Sequence, residues 1–125
     1  VEDIREPKKV YSALRRNGIK IARFGGVEDG LRQMHEVSVK KPFVKYGLKA
    51  IQVSHYFEGN SSKKLIRKIL GEISQVASSR KDVVYCLNTH DFTYRSISNL
   101  KTITDYALRL QREGKIEIVN MRQLI

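Results

Sequence analysis

Three features of the sequence predict an α/β fold, with helices and strands alternating around a mainly parallel sheet. Apolar stripes at helical spacing alternate with short continuous apolar runs, and glycines stand where the helical stripes end. Helix-length segments separate the later strands, and strands joined in this way pair in parallel through right-handed crossovers.

Each element has its own signal. Pro7 suits the first turn of a helix, where its missing N–H would have no partner anyway. Val10, Tyr11 and Leu14 follow at helical spacing, and Gly18 supplies a left-handed stop. Ile19 to Phe24 reads as a short strand ending at Gly25 and Gly26, and Val27 to Gly47 as a long connection with short irregular structure. Leu48 to Phe57 reads as the next strand, running into the turn Glu58-Gly59-Asn60.

Ser61 and Ser62 both offer N-caps, because a short hydroxyl can accept from the free N–H groups of a first helical turn. Leu65, Ile66, Ile69, Leu70, Ile73, Val76 and Ala77 then form one stripe. Lys63, Lys64, Arg67 and Lys68 fall largely off it, on what reads as a solvated face. Val83 to Leu87 is the clearest strand, a continuous apolar run of the kind covered on both sides. The next helix places Ile97, Leu100, Ile103, Ala107 and Leu110 inward and stops at Gly114. Ile116, Ile118 and Val119 suggest a last strand, and Met121 to Ile125 the start of a helix cut short. The strands containing Ile21, Val53 and Val84 are expected side by side and parallel, with Val119 beyond.

The 125 residues suit one domain, 1–125, with one core. No apolar run approaches the roughly 20 residues of a membrane span, so a soluble chain is expected. The charged residues Val1 to Lys9 show no signal-peptide pattern, and the compartment is left unspecified. The chain starts without Met, which keeps a processed product or an excised fragment open. Cys86 is the only cysteine, so no intrachain disulfide forms, and its apolar run reads as core packing. The formal net charge of +11 points to nucleic acid, an anionic polymer, an anionic membrane surface or an acidic partner region. The basic residues are dispersed in pairs, so charge alone selects none of these.

Chemistry on parallel sheets gathers at the carboxyl ends of strands. That rule marks Arg23 to Gly26, Ser54 to Glu58, and Asn88 to Asp91. His90 can act there as acid, proton shuttle or metal ligand, with Asp91 beside it, or simply cap the next helix. Arg23 can hold a carboxylate or an oxyanion, or be a surface arginine beside a turn. His55, Glu58 and His90 together make a weaker zinc candidate, since no HxH or HxxxH pair supports it. No phosphate-cradling GxGxxG or Walker pattern and no nucleophile elbow occurs.

The run Asp82-Val-Val-Tyr-Cys-Leu-Asn-Thr-His90-Asp91, a helix, and Gly114-Lys-Ile-Glu-Ile-Val119-Asn-Met-Arg-Gln-Leu124 resemble the end of the polysaccharide deacetylase (NodB-homology) domain. Gly18 to Gly26 is similar to the stretch carrying that family's catalytic-site arginine, and Gly47 to Phe57 to its next strand. The resemblance implies the C-terminal portion of a longer domain, a partial (β/α) barrel-like sheet related to a TIM barrel. It implies a hydrolase, a carbohydrate esterase or amidase acting on acylated sugars. Arg23, His90 and Asp91 would be catalytic, with Arg23 orienting the base and His90 protonating the leaving group. His55, Glu58 and Asn88 would line the substrate.

The family's metal is held by an aspartate and two histidines in motifs that precede the arginine. None of these is in the sequence, so zinc or a similar divalent metal is expected only with an N-terminal part, and no cofactor in this chain. Asn88-Thr89-His90 replaces the usual Leu-x-His, and Gly25-Gly26 the usual proline and aromatic. The alternative, a small basic module for nucleic acid or an anionic glycan, draws on the net charge but lacks interleaved aromatics.

Overall fold

The computed structural model describes residues 6–24, 43–79, 83–90 and 96–125. Helix α1 spans Pro7–Arg16, with its proline in the first turn. The Asn17 side-chain amide donates to the Ala13 carbonyl at 2.8 Å. Gly18 then turns the chain out with φ of +84°, a conformation that L side chains rarely adopt. Strand β1, Ile21–Phe24, runs parallel to β3, Leu48–Gln52, with Ala22 opposite Ala50 and Arg23 opposite Ile51.

On the far side of β3 lies β2, Phe43–Lys45, which is antiparallel. Tyr46 and Gly47 link them, both at positive φ, as a two-residue hairpin of the right-handed twist requires. Part of the expected long connection is therefore an edge strand. The other expected residues of that connection, up to Pro42, lie outside the described residues.

Beyond a break at Val53 and Ser54, the same chain direction continues as β4, His55–Tyr56. It pairs in parallel with β5, Leu87–Asn88, so His55 stands opposite Leu87 and Tyr56 opposite Asn88. The Ser54 N–H donates to the Cys86 carbonyl at 2.8 Å, and the Cys86 N–H returns to Ser54 Oγ at 3.1 Å. The parallel order expected for Ile21, Val53 and Val84 thus appears as two short parallel pairs in separate sheets of three and two strands.

The described residues form two small sheets and no closed barrel. Two expectations need correction. Residues 116–120 are not strand; they lead into a 3₁₀ helix, Met121–Leu124, capped by Asn120 and Gln123. Val83 to Leu87 is half-buried rather than covered on both sides, and among the described residues only its end joins a strand ladder of two or more residues.

Two clusters hold the structure. Tyr11 packs on Leu48 and Ala50, and its ring stacks on Tyr46 with centroids 5.3 Å apart. Because side chains alternate along a strand, Arg23, Lys49 and Ile51 face the other way. There α2, Lys63–Ser78, and α3, Ser98–Arg112, bring Ile66, Ile69, Ile73, Ile103 and Leu110 around Phe57. Ser74 Oγ and Tyr106 Oη tie the two helices at 2.5 Å. Ile97 and Leu100, expected inside, are 65% and 39% exposed, because the inward stripe of α3 begins only at Ile103.

Candidate functional site

The carboxyl ends of β4 and β5 bring Tyr56, Glu58 and His90 into contact. Beyond β4, Glu58 to Ser61 form a turn in which the Ser61 N–H donates to the Glu58 carbonyl at 3.1 Å. The Glu58 N–H donates to Ser61 Oγ at 2.7 Å, so this serine closes the turn, whereas Ser62 caps α2 by accepting from the Leu65 N–H. Two residues after β5, His90 reaches across, and its Nδ1 lies 2.9 Å from Glu58 Oε1. Tyr56 completes the group: its hydroxyl contacts His90 Nδ1, and the two rings meet edge to face at 5.2 Å.

The electrostatics of this group follow from the carboxylate. An ionised carboxylate only accepts, so its oxygen selects the tautomer in which His90 Nδ1 carries the proton. The Tyr56 phenol is pushed up to about 12, first by loss of solvent around it, then by its hydrogen bond to Glu58 and repulsion from that charge. Glu58 is the more sheltered partner, while the His90 side chain keeps 44% of its surface open and so can meet a ligand.

The other sequence-marked residues fall elsewhere. His55 precedes Tyr56 on the strand and points to the opposite face. It is 1% exposed, with Nε2 3.7 Å from Glu72 Oε1, and Glu72 in turn accepts from the Tyr85 hydroxyl at 2.6 Å. As a substrate-lining residue His55 is thus corrected to a core histidine. Asn88 stands opposite Tyr56 in β5, half-buried, and its carbonyl accepts from the Phe57 N–H at 3.0 Å.

Arg23 is exposed and lines a cavity of about 880 Å³ between the sheet and the α2–α3 pair, together with Cys86. Burial pushes the Cys86 thiol up, and the Arg23 charge opposes that. Of the residues marked at strand ends, Glu58 and His90 are thus in contact, while Arg23 lies by Cys86 at the cavity. Asp91 lies outside the described residues.

A zinc held by His55, Glu58 and His90 does not fit this arrangement, because His55 is turned into the core toward Glu72. Among the described residues no group of three His, Cys, Asp or Glu side chains gathers as a metal ion would require.

Two members of the site, Tyr56 and Asn99, are given no individual role by the sequence. Tyr56 was legible in principle, since it neighbours His55 and alternation sends one of the two to each face. Asn99, in the first turn of α3, donates its side-chain amide to the carbonyls of Glu58, Gly59 and Ser61 at 3.3, 3.0 and 3.1 Å. Nothing local in the sequence marks that long-range contact.

Comparison with known proteins finds no matching family model, no matching curated protein and no matching solved structure. No helix of the described residues is long and apolar enough to cross a membrane.

Proposed function

We propose that this chain carries the proton-transfer part of a hydrolase site of the polysaccharide-deacetylase kind, acting on acylated sugars. The observation that supports it is the His90–Glu58 pair, 2.9 Å apart at the carboxyl ends of two parallel strands. In this reading water adds to the acyl carbon and the bond to the sugar nitrogen or oxygen breaks. Nε2 of His90, bare in the Nδ1–H form, takes up the proton released by the attacking water and hands it to that leaving atom, while Glu58 holds Nδ1–H and fixes the ring. Arg23 lines the cavity with Cys86 and is given no step in the reaction as read here.

The test is acetate release from N-acetyl and O-acetyl oligosaccharides by the full-length product of the reading frame, with zinc supplied. His90→Gln should lower the rate by about 10²–10⁴-fold, the range for a general acid, and Glu58→Gln by less. Unchanged release in His90→Gln would end the reading.

A second reading, a basic module for nucleic acid or an anionic glycan, is favoured by one observation. Lys63, Lys64, Arg67 and Lys68 are all exposed in the first turns of α2. Binding of a labelled oligonucleotide or heparin should then fall steeply with salt as counterions are released. Reversing the four charges should abolish it, and no binding at low salt dismisses it.

A further inference from the structure

We infer that Asn99 is the positioning residue of the His90–Glu58 pair. The inference rests on the proton-transfer reading of that pair and names the residue that sets its geometry. Within the turn from Glu58 to Ser61, the Ser61 N–H donates to the Glu58 carbonyl and the Glu58 N–H to Ser61 Oγ. Asn99 adds an outside anchor, its amide nitrogen serving three carbonyls of that one turn.

All three partners are acceptors, so the amide must present its nitrogen there, and an aspartate would set a negative charge against three carbonyl oxygens. A carboxylate fixes an imidazole only if the carboxylate is itself fixed. Asn99 sits on α3, which is bound to α2 through Ile103 and the Ser74–Tyr106 bond, so it transmits the rigidity of the helix pair to the Glu58 backbone. Asn99 acts through Glu58 and is given no contact with substrate.

The experiment is nitrogen-detected NMR of the His90 ring in the full chain, which reports its tautomer without any activity. Wild type should favour the Nδ1–H form. Glu58→Gln and Asn99→Ala should each lose that preference, and the double variant should lose no more than either alone. Ser74→Ala, which removes one hydroxyl bond between the helices but leaves the Ile103 packing and the turn in place, should keep it.

If Asn99→Ala does not fold by circular dichroism, Asn99→Ser, which retains one donor, is read instead and should show a partial loss. A wild-type ring in the Asn99 variant alongside a changed ring in Glu58→Gln overturns the role of Asn99 and leaves the pair standing. An unchanged ring in Glu58→Gln overturns both.

Discussion

Glu58 accepts from His90 Nδ1 at 2.9 Å while the same carboxylate also takes the hydrogen bond of the Tyr56 phenol. Three side chains from two strand ends therefore share one negative charge. Removing that charge should be visible at the tyrosine. In Glu58→Gln, the Tyr56 phenol should ionise below its value of about 12, by the part due to Glu58, while burial still holds it above the ordinary value of about 10. Ring proton shifts followed through alkaline pH measure this. A Tyr56 midpoint that stays put would mean that Glu58 does not govern the cluster.

The buried arrangement around Glu72 predicts a pH dependence of stability. The Tyr85 phenol is pushed up by burial and by its hydrogen bond to Glu72. A group raised in the folded state contributes fully while protonated in both states, below about pH 10, and its contribution is lost as pH climbs toward the folded value. Urea midpoints should therefore drop above about pH 10 in wild type. In Tyr85→Phe part of that drop should vanish, with about 1–3 kcal/mol already lost at neutral pH. Parallel curves for the two proteins would contradict this.

Cys86 should be a slow nucleophile. Burial raises its thiol, so alkylation at neutral pH should lag behind a free cysteine and recover in denaturant. Arg23 works against that rise, and Arg23→Ala should slow the folded-state reaction further. Faster alkylation in that variant would place the guanidinium as a shield rather than an electrostatic partner.

Core position and stripe position should separate cleanly in α2 and α3. Ile69 is fully buried among Phe57, Ile66 and Ile103, and Ile69→Ala should cost about 2–5 kcal/mol in urea unfolding. Ile97 reads as inward from the sequence but is exposed, and Ile97→Ala should stay within about 0.5 kcal/mol.

That contrast shows what the sequence could convey. Helical spacing, the Pro7 start and the Gly18 and Gly114 stops all carried through, because each depends on backbone geometry within a few residues. The phase of α3 did not, since Ile97 and Leu100 continue its stripe while only packing against α2 decides where the stripe meets the core. The β2–β3 hairpin stayed hidden because Tyr46 at φ of +52° is not a typical turn residue, so its Gly47 had no companion signal. At the site, His90 and Glu58 were legible from strand-end position. Asn99 was not, because its partners lie about 40 residues away and follow from how the helices dock.

His55 and Tyr56 are consecutive, yet one is sealed against Glu72 and the other stands beside His90. The pleat alone separates them, which makes this segment sensitive to counting more than to chemistry. Losing or gaining a single residue between Val53 and Tyr56 would exchange their surroundings, turning a phenol toward the core and an imidazole toward His90. Variation in length should therefore be tolerated poorly there.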